Sequence, residues 1–218
     1  PHGAVVAGHR HVLGVERDVQ RALGRDPGVA DVDHVLATQD AADAHRGEPP
    51  ARTLAAWQTS VTATRDAFAV ADPSGAVAVH TLRLHVASLM VLRTFELWVH
   101  ENDIQLATGR DQRVPDDSTL ALMTDLAARA LRVGADRSGL HQPVAVRLVL
   151  TGRGGGTWDV RLGRDDGHGG SVALVADAVG FCRLAANRLD PGDLDVAASG
   201  DLAHVGDVLT AAGALGLD

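Results

Sequence analysis

One stretch of the sequence carries the clearest structural signal, a buried helix with a polar stripe. It is Arg93-Thr94-Phe95-Glu96-Leu97-Trp98-Val99-His100-Glu101-Asn102-Asp103-Ile104. The stretch lies in a run from Val86 to Ala107 that contains no Pro or Gly and enough apolar residues to predict a largely buried helix. On that helix Glu96 and His100 are one turn apart on the same face. Arg93 lies one turn before this pair and Asp103 nearly one turn after it, so four polar side chains share one stripe.

The spacing of Glu96 and His100 allows two interpretations. A carboxylate and an imidazole one turn apart can bind one divalent ion, with further ligands supplied by another helix of a bundle. The same spacing also suits an i,i+4 ion pair or a hydrogen-bonded core histidine. Spacing alone leaves both interpretations open.

The rest of the chain divides into two parts of different composition. The first part predicts helices only, which indicates a helical bundle. These helices are expected over Gly3–Leu23, Val32–His45, Thr53–Ala71, Val86–Ala107 and Thr119–Arg132. From Val144 onward, alternating strands, Gly-rich turns and two helices predict a small α+β domain. The predicted domains are a bundle over 1–137 and an α+β domain over 143–218.

The net charge, the cysteine count and the apolar runs of the chain exclude some classes of function. The formal net charge of −8 argues against a nucleic-acid or anionic-membrane surface. The single cysteine, Cys182, lies in an apolar helical segment; it excludes an internal disulfide and suits a reducing cytoplasm. We see no apolar run long enough for a membrane span and no export signal. Because the sequence opens on Pro1-His2 without an initiating Met, we expect a fragment or a processed chain.

The central stretch resembles the metal-binding helix of the mycothiol-dependent maleylpyruvate isomerase family. That family is similar to the DinB-like metalloenzymes, with an N-terminal four-helix bundle and a sterol-carrier-protein-like α+β domain. The second half of the chain agrees with the resemblance. Its matching segments are 148–152, 155–160, Phe181-Cys182-Arg183-Leu184-Ala185 and Val196-Ala197-Ala198-Ser199-Gly200-Asp201.

The resemblance implies that Glu96 and His100 bind a divalent metal, typically zinc. The third ligand in the family is a histidine on an earlier helix; His2 is our first candidate and His9 the second, and the true ligand could also lie upstream of Pro1. The family uses mycothiol as its low-molecular-weight thiol and draws an anion-binding Arg from its second domain, which suggests Arg183 as a cofactor-binding residue.

Two further residues of the stripe are candidate catalytic groups. Arg93 could bind a substrate carboxylate through its planar guanidinium or pair with Glu96 at i,i+3. Asp103 could orient His100 or cap the polar side of the helix.

These expectations give one leading function and two alternatives. The leading hypothesis is a cytoplasmic, mycothiol-using isomerase of a maleylpyruvate-type unsaturated acid or a mycothiol S-transferase, with a zinc-bound thiolate as nucleophile. Its partners would be a small-molecule substrate and the thiol, with no nucleic acid or membrane, in a monomer or homodimer. The alternatives are a small-ligand binding module with an incomplete metal site and a thiol-independent zinc hydrolase.

Overall fold

The computed structural model describes residues 15–16, 18–20, 22–23, 43, 46–79, 82–163 and 169–217. Helices dominate the N-terminal part of this range, and an α+β region follows. The predicted fold class, helices followed by α+β, is therefore confirmed. None of the described helices is long and apolar enough to cross a bilayer.

The chain forms two compact units. The first comprises Pro1–Arg93 and His100–Gln112, and the second comprises Thr94–Val99 and Arg113–Asp218. The helix that carries the predicted stripe, α2 (Val86–Ala107), contributes residues to both units. The sequence predicted the bounds of this helix correctly.

The first unit is built from helical segments and one hairpin. The described residues between 15 and 23 are helical, and α1 spans Pro50–Val70, with a Pro at its first helical position. Strands β1 (Ala76–Val79) and β2 (Leu82–His85) pair antiparallel directly before α2. An apolar core joins the N-terminal helical residues, the hairpin and α2. Its buried members are Val15, Val19, Ala22, Val79 and Leu89.

The sheet of the second unit has four strands. They are β3 (Val144–Thr151), β4 (Gly156–Leu162), β5 (Gly170–Asp177) and β6 (Val196–Gly200), in the spatial order β4-β3-β5-β6. β3 forms an antiparallel hairpin with β4 and pairs parallel with β5. Alternate residues of β3 are buried, as expected for a sheet with one covered face.

Helices cover the buried face of this sheet. α3 (Asp117–Ser138) packs against β4, α4 (Ala178–Ala185) and α5 (Val205–Gly213). Its buried residues recur at the spacing of one helical face. They are Leu120, Met123, Thr124, Ala127, Ala128, Leu131, Gly134 and Ala135.

Two features differ from the sequence-based expectation. Residues 76–79 and 82–85 pair as antiparallel strands, where the sequence predicted only helices in this part of the chain. The helix predicted over Thr119–Arg132 starts earlier, because the carboxylate of Asp116 accepts the Thr119 N–H and caps it, and ends later, at the left-handed Gly139. This helix belongs to the second compact unit. The predicted boundary between residues 137 and 143 stays a prediction.

Candidate metal and thiol site

The polar stripe of α2 presents two buried ligand atoms. Glu96 is 6% exposed, and its Oε1 atom is buried, as is Nε2 of His100. The helix is continuous from Val86 to Ala107, so the two side chains leave the same face one turn apart. Carboxylate oxygen and imidazole Nε2 are both zinc ligands. These two residues therefore fit a divalent metal as a partial ligand set.

Asp103 faces the other nitrogen of the same imidazole. Its Oδ2 atom lies 3.7 Å from Nδ1 of His100. A carboxylate on the Nδ1 side favours the tautomer that carries its proton there, which leaves the Nε2 lone pair for a ligand bond. Such carboxylate–histidine pairs fix the orientation of metal-binding imidazoles. At 3.7 Å this contact is longer than a hydrogen bond, and the orienting role of Asp103 stays a prediction.

Arg93 is held in the interior of the first unit by Glu16. Its Nε and Nη2 atoms donate to Glu16 Oε1 at 3.1 and 2.6 Å, and both side chains are almost completely buried. A substrate carboxylate that bound to Arg93 would have to compete with this internal carboxylate.

A second helix supports the same carboxylate. The hydroxyl of Thr64 on α1 donates to Glu16 Oε2 and accepts from Gln20 Nε2 at 3.0 Å. The Gln20 amide also donates to the carbonyl oxygen and hydroxyl of Ser60, at 2.9 and 3.0 Å. Glu16 and Gln20 thus connect α1 to α2 through polar contacts inside the bundle, and we call the set Glu16, Gln20, Ser60, Thr64 and Arg93 the bundle network.

The candidate third ligands cannot be placed. His2 and His9 both lie outside the described residues. Within the described ranges, no group of three or more His, Cys, Asp or Glu side chains could hold a metal ion. The third-ligand assignment therefore stays a prediction.

The second unit contains the two remaining residues that the sequence singled out. Cys182 is fully buried in α4, and burial together with the negative charge of Asp177 raises the pKa of its thiol to about 12. This thiol is protonated at neutral pH and is a core group, as its apolar context indicated. Arg183 is half-buried in the last turn of the same helix. Its role in binding the thiol cofactor stays a prediction.

Sequence reasoning missed Glu16 and the residues that hold it from α1, although it singled out Arg93. Glu16 and Gln20 are one helical turn apart, and each directly follows one of the apolar residues Val15 and Val19. That adjacency was the available signal, because residues next to the apolar stripe of a helix lie at its edge and can turn inward. A single sequence does not show which polar residue at such an edge finds a buried partner.

Two of three comparisons relate the chain to known proteins. A family model described as "Mycothiol maleylpyruvate isomerase N-terminal domain" matches residues 6–105. A crystal structure of mycothiol-dependent maleylpyruvate isomerase and one of its histidine-to-alanine mutant are both similar to the chain, each with a TM-score of 0.56. In both cases the match covers 88% of this chain and 76% of the other at 13% identity, so the likeness is one of fold. A search of curated proteins gave no match. Residues 6–105, just under half of the chain, therefore match the N-terminal domain of the mycothiol maleylpyruvate isomerase family.

Proposed function

We propose that the protein is a metal-dependent enzyme that uses mycothiol. It either isomerises a maleylpyruvate-type unsaturated acid or transfers mycothiol to an electrophile. The observation that carries the proposal is the buried Glu96 together with the buried Nε2 atom of the half-buried His100, one turn apart on a helix of the matched domain. The family supports the thiol and the isomerase class, and the donor atoms of the pair support the metal.

The ligand set we propose is Glu96, His100 and a histidine from the N-terminal segment. His2 is the first candidate and His9 the second, both from the sequence alone. Three protein ligands leave one position of a tetrahedral zinc open. A metal held by these residues would favour the thiolate form of mycothiol at neutral pH, and that thiolate would be the nucleophile for reversible addition to a double bond.

The protein's own side chains hold and orient this site. Asp103 keeps the imidazole of His100 in the orientation that directs Nε2 toward the metal. Arg183 is our candidate for binding an anionic group of the thiol cofactor, because a guanidinium forms paired hydrogen bonds with carboxylates. Arg93 remains a candidate for a substrate carboxylate only if it can exchange Glu16 for that ligand.

The setting that we propose is cytoplasmic, with small molecules as partners. The one cysteine of the chain is buried as a free thiol, which suits a reducing compartment. We propose a monomer or a homodimer that binds a low-molecular-weight thiol and an unsaturated acid. Neither nucleic acid nor membrane is expected as a partner, given the net charge of −8.

The proposal is tested by the dependence of turnover on thiol. The zinc-loaded protein is incubated with maleylpyruvate, with and without mycothiol, and the change in double-bond geometry is followed by absorbance and NMR. Isomerisation that requires mycothiol and is lost in His100→Ala supports the proposal. If only mycothiol conjugation to an electrophile is seen, the enzyme is the S-transferase.

Two other outcomes would overturn the proposal. Hydrolysis that persists without added thiol would identify a zinc hydrolase. Saturable binding of thiol or acid without turnover, in a protein that holds no zinc, would identify a binding module.

A further inference from the structure

The bundle network joins three helical segments through a charged pair, and burying these two charges costs desolvation free energy. Glu16 is 1% exposed and Arg93 4% exposed, so both charges have been removed from water. The attraction in such a pair only about balances the desolvation of its members, and an apolar pair of similar volume is often as stable. Stability alone therefore does not explain a charged pair at this place. A buried pair with fixed hydrogen-bond geometry does, however, define how two helices face each other.

The pair lies directly next to the candidate metal ligands along α2. Arg93, Glu96 and His100 are separated by three and four residues, which places them on one helical stripe. The hydrogen bonds from Arg93 to Glu16 fix the rotation of α2 at the turn that precedes Glu96. Rotation of a helix about its axis moves every side chain of the stripe together, because the backbone between them is rigid.

Glu16 is itself held from a second direction. Its Oε1 atom accepts from Arg93 and its Oε2 atom accepts from Thr64, which in turn is held by Gln20. With both oxygens bound to different helices, the carboxylate has little freedom to follow Arg93 if α2 turns. The network therefore resists rotation of α2 relative to α1.

We propose that Glu16 is a positioning residue for the metal pair: by binding Arg93 it sets the rotation of α2 that aims Glu96 and His100 at one ion. The inference rests on the proposed function, since it requires that these two residues bind a metal. It also gives Arg93 a role that needs no contact with substrate. Glu16 touches neither substrate nor metal in this scheme and acts through Arg93.

The test separates positioning from stability with an apolar replacement. In Glu16→Leu/Arg93→Met both charges are removed together, so the fold is expected to survive. Zinc affinity is measured by competition with a chromophoric chelator, and the visible spectrum of the Co²⁺-substituted protein reports the coordination geometry. We expect about tenfold weaker zinc binding and an altered Co²⁺ spectrum, at the lower end of what loss of an outer-shell partner costs.

A milder variant and a matched control separate an effect on the metal ligands from general destabilisation of the fold. Thr64→Val removes only the hydroxyl that binds Glu16, and its expected loss of zinc affinity is smaller, two- to threefold by the same reasoning. Thr124→Val is the control: Thr124 is equally buried and its hydroxyl donates to Gly154 O at 2.6 Å, but it lies in the second unit on α3. The control is expected to leave zinc affinity unchanged.

The outcomes distinguish this inference from the proposed function. If the wild-type protein binds zinc and the apolar pair binds it equally tightly with an unchanged Co²⁺ spectrum, Glu16 has no positioning role, and the metal site stands. If Thr124→Val weakens zinc binding as much as Thr64→Val, the effect is general destabilisation and the inference is wrong. If the folded wild-type protein binds no zinc, the metal site and the inference fail together.

Discussion

Replacing Gly134 by Ala tests how α3 packs in the second unit. A Cβ atom at Gly134 would lie 1.9 Å from the carbonyl oxygen of Ala211 on α5. This is about 1.5 Å closer than the shortest ordinary van der Waals contact. The oxygen belongs to the helix backbone at Ala211, which is fully buried, and cannot rotate away, so the two helices must separate.

The size of the effect follows from two opposing terms. Overpacking of a well-packed core costs about 1–3 kcal/mol, and a backbone clash belongs at the upper end. Ala is favoured over Gly in a helix interior by about 1 kcal/mol. The net expectation for Gly134→Ala is a loss of about 2 kcal/mol in the free energy of unfolding, measured by urea denaturation followed by circular dichroism.

A second glycine of the same helix pair provides the control. A Cβ at Gly206, in the first turn of α5, meets nothing within 4 Å. Gly206→Ala should therefore leave stability unchanged or raise it by up to about 1 kcal/mol. If Gly134→Ala proved as stable as Gly206→Ala, the close approach of α3 and α5 described here would be refuted.

Three further predictions follow from single side chains. Asp103→Asn should weaken zinc binding about tenfold in chelator competition, because an amide orients His100 less well than a carboxylate. The control Asp111→Asn, at an exposed position, should leave zinc affinity unchanged. Equal zinc affinity in the two variants would show that Asp103 does not orient His100. Cys182 should react with iodoacetamide at pH 8 only after unfolding, because burial raises the pKa of its thiol to about 12, and rapid labelling of the native protein would contradict this. Hydrogen bonds from Ser118 and then Thr119 hold the pKa of Asp116 well below the ordinary value of about 3.9. Its contribution to stability is therefore present above that ordinary value and lost as the pH falls through the folded-state pKa. The Tm of Asp116→Ala should lie below that of the wild type at pH 7, with a difference that shrinks toward pH 2; a difference independent of pH would be the contrary result.

Local sequence patterns predicted most of the elements. The run from Val86 to Ala107 has no helix breaker, and the structure forms the helix over that whole run. In the second unit, the run of β-branched and apolar residues in Val144–Thr151 predicted a strand, and the structure buries alternate residues of it. Each of these patterns lies within one helix or strand, so a single sequence is enough to show it.

Pairings between distant segments were not predictable in the same way. The parallel alignment of β3 with β5 depends on how the chain connects Leu162 to Gly170, which no residue pattern specifies. The helix α3 has a buried stripe that would suit a bundle or a sheet equally well, and only its contacts show that it packs on β4. The hairpin of β1 and β2 consists of four-residue strands, too short to show a clear alternation.

The candidate site shows the same division between local and distant information. Glu96, His100 and Asp103 were identified because their spacing within one helix carries the signal. Glu16 was missed because its partner Arg93 is 77 residues away along the chain, and no local rule connects them. The position of a third ligand is likewise a long-range property.

The zinc content of the purified protein is the most direct test of Glu96 and His100 as metal ligands. The purified protein is loaded with zinc, freed of excess metal and analysed for metal per chain, beside a Glu96→Ala/His100→Ala variant whose fold is checked by circular dichroism. The proposed ligand set predicts about one zinc per chain in the wild type and none in the folded variant, because removal of two of three proposed ligands leaves too few donors. A folded wild type without zinc, or a variant that retains it, would contradict the assignment of Glu96 and His100 as a metal pair.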